Sequence, residues 1–176
     1  MTVNPSPVRD SKAWGTNRSR TITWVDPAPS TAIGLSMPGL DYLRAMLDGS
    51  LPPPPMAALI QCDLVEAEHG RVVFTCRPDE SAYNLIGSVH GGLVCTLLDS
   101  VLGCALHSTL PQGKGYTSVE IKINYLKAVR LSSGLLTATG TVVKSGSRVG
   151  FTEGSVIDAD GALVATASST LLIFDL

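Results

Sequence analysis

Residues 91–108 read GGLVCTLLDSVLGCALHS, from Gly91 to Ser108, and the way this stretch folds constrains everything around it. Free of proline, it is long enough for a helix of about 27 Å at 1.5 Å per residue. Its apolar residues run nearly all the way round the helical wheel, the pattern of a helix enclosed by other structure. The exceptions share a stripe, because Thr96, Asp99, Ser100, Gly103 and His107 fall at i, i+3, i+4, i+7 and i+11. Asp99 is the only carboxylate on it.

The segments on either side read as strands. Residues 117–125 alternate, with Val119, Ile121, Ile123 and Tyr125 on one face and Ser118, Glu120, Lys122 and Asn124 on the other, which predicts a strand with one wet face. Residues 135–143, 149–157 and 163–174 follow, parted by the turn pairs Ser145-Gly146 and Asp160-Gly161. Upstream, residues 57–67 and 71–77 flank His69-Gly70 and read as a hairpin. One buried helix among antiparallel strands predicts an α+β fold, a sheet wrapped around the helix.

Nine of the eleven prolines lie within residues 1–55, which predicts an irregular N-terminal extension there and a folded domain over 56–176. Inside the extension, Leu40, Leu43 and Leu47, with Gly49 as a stop, predict a short helix over 39–48. Pro52 to Pro55 predict a stiff extended connector. Residues 1–20 are polar and broken by prolines, and are expected to be partly disordered and not a secretion signal. No apolar run is long enough to span a membrane, so neither a membrane nor an exported form is expected.

Composition excludes several partners. A net charge of −2 with no dense basic run offers no footprint for a phosphate backbone, so nucleic acid is not an expected ligand. The four cysteines, Cys62, Cys76, Cys95 and Cys104, lack metal-ligand spacing and read as reduced, packed thiols of a cytoplasmic protein, with no metal expected. Only 16% of residues are charged against 44% apolar, little charge for the surface of a monomer. That balance points to buried contacts between subunits.

Asp99 admits two readings on the residues alone. An ionised carboxylate on an apolar helix is costly unless it is paired or faces a site. It either pairs structurally, with His107 or Lys122 as candidates, or serves chemistry. His90-Gly91-Gly92 admits two as well. The glycines either make a tight loop-to-helix junction, or leave first-turn N–H groups open to an oxygen that gains negative charge, at the positive end of the helix dipole. Nine residues separate His90 from Asp99, roughly 13 Å along a helix and on opposite sides. Within one chain they are too far apart to act on one bond; two helices antiparallel across a two-fold axis would bring Asp99 of one copy to the Gly91 end of the other.

The pattern Asn84-x5-His90-Gly91-Gly92-x6-Asp99, followed by Thr117-Ser118-Val119-Glu120-x4-Tyr125, resembles the hotdog-fold acyl-CoA thioesterases of the phenylacetate-pathway (PaaI-like) group, over about residues 56–174. The resemblance implies a hotdog fold, and Asp99 as general base on water or as nucleophile at the thioester carbon. It implies that the Gly91 N–H polarises the thioester carbonyl, with Gly92 beside it, and that His90 and Asn84 shape and hydrogen-bond that pocket. Ser118 would orient the attacking water, with Thr117 in its place if the alignment slips by one. Lys144, Ser147 and Arg148 would meet the CoA phosphates; as residues they read equally as an exposed hairpin turn. Active sites between two chains are implied, in a homodimer or a tetramer, with coenzyme A as part of the substrate and no separate cofactor.

The expected activity is therefore hydrolysis of an acyl-CoA, with an aryl-acyl or a medium to long acyl chain, to free acid and CoA. Two other functions fit the same fold. A hydratase or dehydratase needs its His on a separate strand, whereas His90 stands beside the glycine pair. A non-catalytic acyl-CoA binder has no use for Asp99. The helix over 39–48 is expected to line or lid the acyl pocket.

Overall fold

The apolar helix forms as α4, Gly91–His107, and its side chains Leu97, Leu98, Val101, Leu102, Ala105 and Leu106 are completely shielded from solvent. The structure, a computed structural model, describes residues 15–176; the expectation for residues 1–14 lies outside the described residues. What shields the helix is one antiparallel sheet. Its strands are β1 (Cys62–Glu68), β2 (Arg71–Cys76), β3 (Lys114–Tyr125), β4 (Leu136–Ser145), β5 (Val149–Ile157) and β6 (Leu163–Asp175), in the order β1-β2-β4-β5-β6-β3. The helix lies directly on the sheet backbone: a Cβ on Gly140 of β4 would stand 2.5 Å from the Val101 carbonyl oxygen, so only glycine admits this approach. A sheet wrapped around one long helix is the hotdog arrangement.

Three short helices precede the sheet: α1 (Pro27–Gly34), α2 (Gly39–Leu47) and α3 (Pro55–Ile60). The helix expected over 39–48 is α2, and α1 was not anticipated, although Asp26 before Pro27 carries the signal, its side chain accepting from the Ala28 N–H at 3.0 Å. Residues 57–60 form the end of α3 rather than the start of a strand. Pro55 at the first helical turn presets φ, Met56 to Leu59 favour helix, and Gln61 ends it in the left-handed region at φ 57°. The proline connector is thus extended only up to Pro54.

Leu43 of α2 is 1% exposed and belongs to the same core as α4, and the Gly39 N–H donates to the Leu110 carbonyl at 3.0 Å. Tyr42 packs edge-on against His107, so α2 docks at the C-terminal end of α4. That end lies about 24 Å from Gly91 along the helix. Within its own chain, α2 therefore does not lid the Gly91 end. Residues 15–20, expected to be partly disordered, are held on the domain by Arg18–Glu80 at 3.1 Å and Arg20–Asp79 at 3.2 Å.

Candidate active site

Asp99 sits midway along α4 on its exposed side and pairs with neither His107 nor Lys122. Its Oδ1 accepts a hydrogen bond from Ser118 Oγ at 2.7 Å. Strict alternation along β3 predicted that Ser118 faces away from Ile121, Ile123 and Tyr125. The strand instead carries a bulge: Ser118 pairs with Leu171 and Glu120 with Thr170 of β6, leaving Val119 as the extra residue. An extra residue reverses the facing of everything beyond it. Tyr116 and Ser118 before the bulge thus share the helix side with Ile121, Ile123 and Tyr125 after it. Thr117, next to Ser118, points to the opposite face.

The two hydroxyls of the stripe beside Asp99 are satisfied by the helix itself. Thr96 Oγ1 donates to the Gly92 carbonyl at 2.9 Å and Ser100 Oγ to the Thr96 carbonyl at 2.8 Å. Gly103 lies under the Tyr116 ring. His107 lies between the Tyr42 and Tyr116 rings with no hydrogen-bond partner on Nδ1, and burial holds its pKa below the usual 6.5.

At the other end of α4, His90 is the N-cap, and its Nδ1 accepts the Gly92 N–H at 2.8 Å. The first-turn donors are therefore not both open, as the glycines alone suggested. The bond takes Gly92 and fixes the neutral ring as the tautomer with its proton on Nε2. Gly91, the first helical residue, has no intrahelical acceptor for its own N–H. Its backbone is pinned by Tyr125: the phenol donates to the Gly91 carbonyl at 3.0 Å, and a Cβ on Gly91 would stand 3.2 Å from the ring. A cavity of about 290 Å³ opens here, lined by Val89, Gly91, Val94, Tyr125, Val129 and Val164 among others.

Asn84 turns its side chain into its own loop, where Oδ1 accepts from the Ile86 and Ser88 N–H groups at 3.0 and 3.2 Å and Nδ2 donates to Ser88 Oγ at 3.0 Å. It borders, with His90 and Tyr83, a hollow of about 560 Å³. Lys144, Ser147 and Arg148 lie at the exposed β4–β5 turn, tied by Ser145 to Thr109 just past the C-terminal end of α4. One chain thus brings Asp99 to Ser118, and His90 to Gly91 and Gly92. It holds these two groups about 12 Å apart along α4, and the β4–β5 turn at the end remote from Gly91. Among the described residues, no group of three or more His, Cys, Asp or Glu side chains could hold a metal ion. Nor is any described helix long and apolar enough to cross a membrane.

Tyr125 is the residue whose role the sequence did not assign. It stood in the motif on the apolar face with Ile121 and Ile123, but alternation within β3 does not show that this face carries its hydroxyl to the Gly91 carbonyl.

A family model described as the thioesterase superfamily matches residues 86–165, the loop before α4 through the start of β6. Acyl-coenzyme A thioesterase 13 of Homo sapiens is 33% identical over 108 residues, 61% of this chain and 76% of that protein. The chain belongs to the thioesterase superfamily. Among solved structures, a phenylacetic acid degradation-related protein from Ralstonia eutropha is 26% identical, with a TM-score of 0.68 over 74% of this thioesterase and 98% of that chain. A Streptococcus mutans protein solved with acetyl CoA is 30% identical, with a TM-score of 0.60 over 65% of this chain and 89% of that one. The thioesterase is thus a hotdog thioester hydrolase similar to the phenylacetate-pathway group. The stretch with similarity centres on α4 and its sheet.

Proposed function

We propose that the protein hydrolyses acyl-CoA to a free carboxylic acid and CoA, in a site shared between two copies of the chain. The observation that carries this reading is the 2.7 Å Ser118–Asp99 bond on the open side of α4, with the unpaired Gly91 N–H lying about 12 Å along the same helix. Two α4 helices antiparallel across a two-fold axis place Asp99 of one copy against Gly91 of the other. The assembly is a homodimer, with a tetramer as a pair of such dimers. β3 supports it, being a twelve-residue strand at the sheet edge with Val119 65% exposed.

In this site, Asp99 takes a proton from a water that Ser118 helps to orient, and the water oxygen bonds to the thioester carbon. The carbonyl oxygen gains charge and is received by the Gly91 N–H at the positive end of α4, with His90 and Asn84 holding the loop and Gly92 closing the cap. Collapse breaks the carbon–sulfur bond, and the CoA sulfur leaves with the proton that Asp99 had taken. If Asp99 attacks as a nucleophile instead, it displaces the CoA thiolate and forms a mixed anhydride with the acyl group, and water attacking the Asp99 carbonyl of that anhydride during single-turnover hydrolysis in heavy-oxygen water leaves the label in Asp99.

The apolar cavity beside Gly91 suits an aryl-acyl or a medium to long acyl chain. In the antiparallel pair, the β4–β5 turn of the second copy approaches the Gly91 end of the first. Lys144, Ser147 and Arg148 then reach the CoA phosphates across the interface. CoA arrives as part of the substrate, so the chemistry asks for no resident cofactor. Cys62 and Cys76 face each other across β1 and β2 as free thiols, in keeping with a reducing cytoplasm.

The test is an acyl-CoA panel assayed by thiol release, with Asp99→Ala as control. Release from wild type and a loss of at least about 100-fold in kcat in the variant are expected. Loss of enoyl absorbance from a 2-enoyl-CoA without thiol release would instead establish a hydratase, and binding without turnover an acyl-CoA binder.

A further inference from the structure

The segment ahead of α1 lies outside the stretch that matches the family model, yet it reaches the loop that ends in His90. Arg20 bridges two elements with one guanidinium: Nη1 donates to Asp79 Oδ2 at 3.2 Å and Nη2 to the Leu59 carbonyl of α3 at 2.8 Å. Asp79 collects further donors. Gln61 Nε2 donates to Oδ2 at 2.8 Å, and the Ser81 N–H and hydroxyl donate to Oδ1 at 2.8 and 2.5 Å. The Ser81 bonds above all, then those from Gln61 and Arg20, pull the Asp79 pKa down to about 2, so it stays ionised at any working pH.

Asp79 is the N-cap of the 3-10 turn Glu80–Ala82. That turn ends where the site begins, because the Ala82 carbonyl accepts the His90 N–H at 2.8 Å and Tyr83 bridges to Val89. A continuous run of bonds therefore leads from Arg20 through Asp79 and the turn to the N-cap of α4. Gln61 adds a second, independent sign. It is the only non-glycine residue with positive φ among the described residues, at 57°. Such backbone favours glycine, and glycine would lack the amide that reaches Asp79.

We propose that Arg20, Gln61 and Asp79 are positioning residues for His90, and that the N-terminal extension is a strap fixing the site loop. An exposed ion pair contributes little by charge alone; the strap works through the number and direction of its hydrogen bonds, which set where the Ala82 carbonyl stands. The proposal rests on the reading of His90 and Gly91 as the oxyanion end of a thioesterase site.

The experiment measures kcat, KM and Tm for Arg20→Ala, Gln61→Gly, His90→Ala and the double variant Arg20→Ala/His90→Ala, with Asp99→Ala as reference. Arg20→Ala and Gln61→Gly are each expected to lower kcat by roughly five-fold, with KM within about two-fold. Gln61→Gly relieves the left-handed residue, so its Tm stays level or rises while kcat falls, a split that a merely structural role does not give. The double variant should be no slower than His90→Ala alone. With Asp99→Ala inactive, wild-type kcat in both Arg20→Ala and Gln61→Gly overturns the strap, as does a double variant whose losses multiply. If Asp99→Ala itself turns over normally, the reading of the site falls first and the strap with it.

Discussion

Asp99 has solvent on one side and a single hydroxyl donor on the other, and the direction of that hydroxyl decides how the carboxylate presents its second oxygen. Ser118→Ala removes the 2.7 Å bond and leaves Asp99 charged but free to rotate. A fall of about 10-fold in kcat with little change in KM is expected, because orientation and not binding is lost; steady-state kinetics on the best substrate of the panel checks it. Tyr125 governs the other half of the site. Glycine has the most backbone freedom of any residue, and Gly91 must present an N–H in one direction. Tyr125→Phe keeps the ring against Gly91 and deletes the bond to its carbonyl. The variant should lose roughly 3- to 10-fold in kcat while its Tm moves by no more than a few degrees.

At the scale of elements, α4 ends against the N-terminal extension through a histidine that the fold keeps neutral. Burial between Tyr42 of α2 and Tyr116 of β3 depresses the His107 pKa below 6.5. Above pH 6.5 the ring is neutral folded or unfolded, and the full stability is present. As pH falls below 6.5 the unfolded chain takes a proton first, so stability declines until the folded pKa is passed. Tm should therefore drop between pH 7 and 5, and His107→Phe should flatten that drop; equal slopes in the two proteins would contradict it.

What the sequence made legible follows the same scale. α4 could be read because its apolar residues go all the way round, and Asp99 because it is the sole charge there. The bulge at Val119 could not, since it exists only in the pairing of β3 with β6, which no alternation within β3 reveals. Ser118 is the residue this hides, because the bulge is what brings it to the side of Ile121, Ile123 and Tyr125. Residues 57–60 alternate no better as strand than as helix, and the prolines before them decide for helix.

For the whole molecule, the charge composition and the N-terminal extension both bear on how the site is assembled. The scarcity of charge fits a chain with apolar residues outside its own core: Leu85, Ile86 and Val119 are more than half exposed, on the site loop and the edge strand. The N-terminal extension is no appendage, since Leu43 belongs to the central core and Arg20 ties to the loop before α4. A site divided between two copies makes a prediction that no arrangement within one chain shares. Asp99→Asn removes the base. Gly91→Pro removes the N–H at a first helical position that suits the φ of proline, after a His90 already extended at φ −61° and ψ 133°; its Cβ, 3.2 Å from the Tyr125 ring, requires that ring to give by a few tenths of an ångström. Each variant alone should fall by at least about 100-fold in kcat. Unfolded together and refolded as an equal mixture, half the dimers are hybrids, and each hybrid holds one intact site and one doubly defective site. Recovery of about a quarter of wild-type thiol release is the predicted result, and a mixture no more active than its two components would contradict the shared site.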